Sequence, residues 1–109
     1  MIQSNVSLKE FNTFGIDVSA KLFSQVDNED HVRRVIQSKE FENNSSLILG
    51  GGSNLLFTKN YDGIIIRNHI QGIEIIEDNS DSVLVKVGGG VVWHDFVLYC
   101  IENGWYGIE

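Results

Sequence analysis

Three consecutive glycines followed by two small polar residues form the segment of this chain best suited to chemistry. The glycines at 50–52 follow an apolar run at 47–49 and precede Ser53 and Asn54. Glycine reaches positive φ and lets a ligand approach the main chain, so successive N–H groups can form a nest for an anion. The pattern predicts a strand that ends in a phosphate-binding loop, whereas a tight turn between two core strands would need the same glycines.

Two known glycine motifs match this loop only in part. A P-loop places Lys and then Ser or Thr directly after its last glycine, but this chain has Ser53 and Asn54 there. The dinucleotide fingerprint G-x-G-x-x-G is satisfied at Gly50 and Gly52, but Leu55 occupies the position of the third glycine. The residues alone therefore leave the phosphate loop and the structural turn open.

The elements before the loop predict a strand, a helix and a second strand. The run 20–26 has the composition of a strand, and Asp27 or Asn28 can cap the helix that follows. The spacing of its apolar residues predicts that the helix buries three side chains, namely Val32, Val35 and Ile36. Such an order favours a parallel crossover, and ligands of these units bind beyond the carboxyl ends of the strands. The glycine loop lies at such an end.

The second half of the chain has a different pattern. Three short apolar runs bounded by turn residues lie at 63–67, 72–77 and 82–87. They predict an antiparallel layer with a hairpin turn at 77–81. A second glycine triplet at 88–90 then leads into an amphipathic helix, in which Trp93 and Cys100 are expected in the core and Gly104 at the C′ position.

Composition excludes several classes of partner. The chain has 109 residues and a net charge of −7, which opposes binding to nucleic acid or to an anionic membrane. Its three histidines and single Cys100 lack metal-ligand spacing, and no apolar run is long enough to span a bilayer. With one cysteine and no secretory signal, a cytoplasmic location is expected. Because the sequence stops at Glu109 soon after a helical pattern, we expect a fragment of a longer protein.

Four ordered motifs together are more specific than either glycine triplet. They are NTFG at 12–15, LILGGGSNLLF at 47–57, GIIIRNHIQGIEI at 63–75 and VGGGVVWHDFVLYCIENGWYGIE at 87–109. In this order they resemble the UDP-N-acetylenolpyruvoylglucosamine reductase family. Its members are FAD-dependent, NADPH-using oxidoreductases of peptidoglycan precursor synthesis, which act on a nucleotide-sugar substrate.

The resemblance implies an α+β fold, truncated, with an FAD-binding domain of the vanillyl-alcohol oxidase type. A small parallel α/β subdomain is expected at about 1–62, and the start of a mainly antiparallel subdomain at about 63–109. The separate substrate domain of the family has no counterpart in the sequence. The resemblance also implies a flavin that takes hydride from NADPH and passes it to the enolpyruvyl double bond.

Seven cofactor-binding residues follow from the resemblance. The loop is expected to wrap the FAD pyrophosphate with Gly50, Gly51, Gly52, Ser53 and Asn54, flanked by Leu49 and Leu55. For NTFG and for the triplet 88–90, a structural turn explains the residues as well as a cofactor contact does. The catalytic residues of the family match nothing in this sequence, so residues 1–109 are expected to be inactive alone.

Two other functions stay open on the sequence. One is the FAD-binding part of another oxidase or dehydrogenase of the same superfamily, and the other is a non-catalytic nucleotide-binding domain. Strands without sheet partners would leave apolar edges, so we also expect self-association, motivated by residues 63–66 and by Trp93, Phe96 and Ile101.

Overall fold

A computed structural model describes residues 1–52 and 55–109 of the chain, which form two compact units, 1–69 and 70–109. The first unit contains β1 (Gln3–Ser7), a 3-10 turn (Lys9–Phe11), β2 (Ser19–Val26), α1 (Glu29–Ile36), α2 (Lys39–Glu42), β3 (Ser46–Leu49) and β4 (Tyr61–Asn68). The second unit contains β5 (Ile73–Asp78), β6 (Val83–Val87) and α3 (Trp93–Glu102). Every helix among the described residues falls short of the length and hydrophobicity that a membrane span requires.

The sheet of the first unit has the strand order β1-β2-β4-β3. β1 pairs with β2 antiparallel, whereas β4 pairs parallel with both β2 and β3. The predicted strand, helix and strand at 20–49 are therefore present, with β4 lying between the two strands. All three parallel strands end at the edge from which the glycine loop begins.

The prediction that residues 63–67 belong to an antiparallel layer is wrong. Ile65 of β4 lies opposite Phe23 of β2 and Leu47 of β3, in parallel register on both sides. A strand covered on both faces has a continuous apolar run, and the side chains of Ile64 and Ile65 are fully buried. The change to antiparallel pairing consequently follows His69, later in the chain than the expected change near residue 62.

The sheet has apolar side chains on both faces. One core cluster includes Phe23, Leu49 and Ile65, and the other joins Val26, Ile64 and Ile66 to Val35 of α1. One expected core position differs, because Ile36 at the end of α1 is 48% exposed. Ile48 of the edge strand β3 is 71% exposed.

Local capping explains where the helices of the first unit begin. Asn28 is the N-cap of α1, and its Oδ1 accepts a hydrogen bond of 2.9 Å from the backbone N–H of His31. Glu29 and Asp30 follow in the first turn, where the helix dipole favours negative charge. Helix α2 was not predicted from the sequence. It begins after Ser38, and the Oγ of this residue accepts a hydrogen bond from the N–H of Phe41.

The second unit confirms the predicted hairpin and helix. β5 and β6 pair antiparallel, and the N–H of Asn79 donates to the carbonyl of Ser82 across the turn. Helix α3 ends at Glu102 with Asn103 as its C-cap, and Gly104 follows with a φ of +75°, the left-handed conformation of a C′ residue. Cys100 is buried as expected, but Trp93 is 62% exposed. The apolar face of α3 is thus only partly covered within the described residues.

Candidate cofactor-binding site

The first two glycines of the loop present an open main chain. Gly50 and Gly51 directly follow β3 and are both exposed. A Cβ added at either glycine would meet no described atom within 4 Å. Their peptide groups are therefore accessible to a ligand at the carboxyl end of the parallel strands, where such folds bind ligands. Ser53 and Asn54, also predicted to bind the cofactor, lie outside the described residues.

The third glycine, in contrast, is required by the fold itself. Gly52 is buried and has a φ of +75°. A Cβ at this position would lie 2.2 Å from the carbonyl oxygen of Phe11 and 3.0 Å from the Cα of Asn12. The N–H of Thr13 also donates to the carbonyl of Gly52 at 3.3 Å. Gly52 consequently fixes the loop against the segment that carries the NTFG motif.

The first residue of that motif organises a turn. Asn12 is 7% exposed, and its Nδ2 donates to the carbonyls of Leu8 at 2.7 Å and Ile16 at 3.1 Å. Its Oδ1 accepts from the N–H of Ile16 at 3.0 Å. These bonds hold residues 8–16 in one shape and so place Phe11 and Thr13 beside Gly52. The structure therefore gives this motif the turn role that the sequence left open.

Of the two leucines that flank the loop, one lies in a core cluster and the other packs against it. Leu49 is fully buried in the cluster with Phe23 and Ile65, and Leu55 packs against the same cluster. The side chain of Leu49 therefore has no free surface for the expected apolar contact with a cofactor. Its backbone remains beside the loop.

A polar network that the sequence reading missed lies at the carboxyl ends of β2 and β4. Nη1 of Arg67 donates to Oε1 of Gln25 at 2.6 Å, and Nε2 of Gln25 donates to Oδ1 of Asp27 at 3.2 Å. The same Asp27 oxygen lies 2.8 Å from Nδ1 of His69, and this hydrogen bond is the main cause that lowers the pKa of Asp27 below 3.8. The network thus carries both charge signs at the end of the sheet from which the loop begins.

One sequence signal could have identified Arg67. It directly follows the apolar run 64–66, as a residue at the carboxyl end of a buried strand does. Only the parallel register brings the carboxyl end of this run beside the glycine loop, and the antiparallel layer predicted from the sequence does not.

The second glycine triplet makes a structural connection. A Cβ at Gly88 would lie 2.2 Å from the carbonyl oxygen of Ile70, and the N–H of Gly90 donates to that oxygen at 2.8 Å. Nε2 of Gln71 in turn donates to the carbonyl of Gly90. Close backbone packing therefore accounts for Gly88 without a ligand. The second unit also has a groove of about 720 Å³, lined by the hairpin, α3 and residues 104–108.

Comparison with known proteins identifies the family. The sequence model of the FAD binding domain matches residues 20–109, which is most of the chain. The chain belongs to this FAD-binding domain family. FAD, which the family resemblance of the four motifs implies, is the cofactor that the family assignment supports. The mixed parallel and antiparallel sheets of the structure fit the predicted α+β class.

Several curated relatives of this FAD-binding domain carry the same name. Proteins named UDP-N-acetylenolpyruvoylglucosamine reductase from Bacteroides fragilis, Flavobacterium johnsoniae and Pseudomonas syringae are 46%, 45% and 40% identical to it. Each alignment covers 108 residues, which is 99% of this chain and 32% of the relative. The chain thus spans about a third of the length of these relatives. The resemblance predicted from the four motifs is confirmed.

Proposed function

We propose that this chain is the part of a UDP-N-acetylenolpyruvoylglucosamine reductase that holds the diphosphate of FAD. The whole protein would use NADPH to reduce UDP-N-acetylglucosamine enolpyruvate to UDP-N-acetylmuramate, a precursor of peptidoglycan. The observation that carries this proposal is the open main chain of Gly50 and Gly51 after a parallel strand, held in place by Gly52. The names of the relatives, at up to 46% identity, supply the reaction.

The residues present fit a diphosphate. Consecutive amides without side chains can turn toward an anion, and the carbonyl of Gly52 is fixed by Thr13 rather than free to face the ligand. We assign main-chain contacts to Gly50, Gly51 and the backbone of Leu49, and by resemblance to Ser53, Asn54 and Leu55. When bound, FAD supplies the hydride carrier, and the protein supplies position and electrostatics.

Three further parts of the proposal rest on the resemblance. They are the vanillyl-alcohol oxidase type of the domain, its division into a parallel and an antiparallel subdomain, and the cytoplasmic location. The catalytic groups that protonate the substrate and bind its sugar are assigned to parts of the relatives that this chain does not match. We therefore expect no turnover by residues 1–109, and substrate-dependent NADPH oxidation by this chain would contradict that expectation.

Titration of the 109-residue chain with FAD, followed by NMR, tests the diphosphate site. FAD and ADP are expected to shift the amide signals of Gly50 and Gly51, whereas riboflavin, which lacks phosphate, should leave them in place. The variant Gly51→Ala should keep its free energy of unfolding, because its Cβ meets no described atom, but should bind FAD more weakly because the methyl group obstructs the nest.

The outcomes separate the proposal from the structural-turn interpretation. Unchanged amide signals at saturating FAD would show that the loop is only a turn. Equal FAD affinity of the wild type and Gly51→Ala would show that the ligand does not approach the main chain there. A flavin that stays attached after denaturation would instead favour an oxidase of the same superfamily.

A further inference from the structure

Arg67 lies beside the start of the glycine loop. It occupies the carboxyl end of β4, where the parallel register places it opposite Leu49 of β3. The next residue after Leu49 is Gly50, the first open glycine. Neighbouring strands are about 4.8 Å apart, so the backbone of Arg67 is one strand spacing from the residue that begins the loop.

Among the residues that the structure describes, Arg67 has no counter-ion. Its side chain is half-buried, its Nη1 donates to the neutral amide of Gln25, and its Cζ lies 5.0 Å from the ring centroid of Phe11. Within the described part of the chain, no carboxylate comes within 4.0 Å of its guanidinium nitrogens. Arg33, by comparison, pairs with two carboxylates on the exposed face of α1.

Gln25 separates Arg67 from the nearest carboxylate of its network. The Oε1 of this amide accepts from Arg67, and its Nε2 donates to Asp27 at 3.2 Å. Asp27 also has a hydrogen bond with His69, which lowers its pKa. The carboxylate thus has partners of its own. The guanidinium donates to Gln25, and its other N–H groups make no hydrogen bond to a described residue. A partly desolvated cation of this kind is stabilised by an anion.

Phe11 connects Arg67 to the glycine loop. Its ring lies against the guanidinium, and its carbonyl oxygen packs against Gly52. The ring also stacks on Phe23 with centroids 4.9 Å apart, which fixes its position in the core. The cation and Gly52, the residue that follows the open glycines, are therefore both in contact with Phe11. The net charge of −7 of the chain offers an anion no general attraction.

We propose that Arg67 is a second binding group for the FAD diphosphate, which it contacts through a charge-assisted hydrogen bond while the loop amides hold the same group. This inference rests on the proposed function. A guanidinium suits the role because its planar fork of donors matches phosphate oxygens, which a lysine does not reproduce. Arg67 would give the loop the local positive charge that the overall composition lacks.

The test compares Arg67→Gln and Arg67→Lys with Arg34→Gln in the 109-residue chain. Arg34 is an exposed cation on α1, so its variant makes the same change in net charge away from the loop. Affinities for FAD, ADP and riboflavin are measured by NMR titration, and stability by urea unfolding. Arg67→Gln should weaken FAD and ADP by about tenfold, the usual value of one charge-assisted hydrogen bond, and Arg67→Lys by less. Arg34→Gln should bind all three ligands as the wild type does.

A second readout is the NMR signal of Arg67 itself in the wild type, which does not depend on the folding of a variant. The side-chain nitrogen signals of Arg67 should shift on addition of FAD or ADP and stay in place with riboflavin. Rising salt should also weaken FAD binding more in the wild type than in Arg67→Gln. Unmoved Arg67 signals at saturating FAD, or equal FAD affinity of wild type and Arg67→Gln, would overturn this inference. Failure of the wild type to bind FAD at all would instead refute the proposed function.

Discussion

Replacement of Gly52 by alanine should destabilise the first unit far more than replacement of a glycine with the same backbone conformation elsewhere. Two costs add at this position. The φ of +75° is left-handed, and a residue with a Cβ pays about 1–2 kcal/mol there. The new methyl group would also lie 2.2 Å from the carbonyl oxygen of Phe11, whereas real Cβ contacts below 3.0 Å are essentially never seen.

The structure supplies a control that isolates the second cost. Gly15 belongs to the same unit and has a φ of +63°, but its Cβ would meet nothing within 4 Å. Gly15→Ala should therefore lose only the backbone term. Displacement of a packed main chain costs about 1–3 kcal/mol, so Gly52→Ala should lose about 2–5 kcal/mol in total. The difference between the two variants, about 1–3 kcal/mol, measures the contact between Gly52 and Phe11.

Urea unfolding followed by far-ultraviolet circular dichroism measures these changes. The free energy of unfolding is obtained by linear extrapolation, and an unchanged slope shows that the denatured state is not altered. If the two variants have the same free energy of unfolding within about 0.5 kcal/mol, the typical accuracy of additive comparisons, the loop does not pack against Phe11 as described.

Four further predictions follow from individual side chains. Asn12→Ala should lose about 2–3 kcal/mol of unfolding free energy, because it leaves buried backbone groups without partners, and urea unfolding measures the loss. Because a hydrogen bond with His69 lowers the pKa of Asp27, the ionised carboxylate stabilises the folded state. This contribution is complete above pH 3.8 and is lost as the pH falls through the lowered pKa. An NMR titration of His69→Gln should show the pKa of Asp27 returning toward 3.8. Ser24→Ala should gain about 1 kcal/mol in the same unfolding assay, because its buried Oγ has no hydrogen-bond partner among the described residues. Ile48→Lys should reduce self-association through the edge strand β3 in sedimentation velocity, and a wild type that stays monomeric at all concentrations would contradict this prediction.

The sequence allowed prediction of those elements whose side chains repeat with a local period. The strand at 20–26, the N-cap Asn28 and the antiparallel hairpin of the second unit all followed from nearby residues. The direction of β4 did not, because an apolar run at 64–66 contains no information on whether its neighbours run parallel or antiparallel.

The candidate site shows the same limit. Three glycines look alike in the sequence, but Gly52 is distinguished from Gly51 by the backbone of Phe11, which is remote along the chain. The position of Arg67 beside the loop depends on the strand register, which places it opposite Leu49. Pairings between distant segments, rather than local preference, decide both cases.

The double contact of Phe11 has a consequence for hydrogen exchange. Its carbonyl rests on Gly52 and its ring on Arg67, so any opening that frees the amides of residues 8–16 must also disturb both sides of the loop. When a ligand binds only the closed form, the frequency of such openings falls in proportion to the fraction of the chain that is left unbound. Deuterium uptake of the NTFG segment should then report occupancy of the loop, although the segment itself need not touch the ligand.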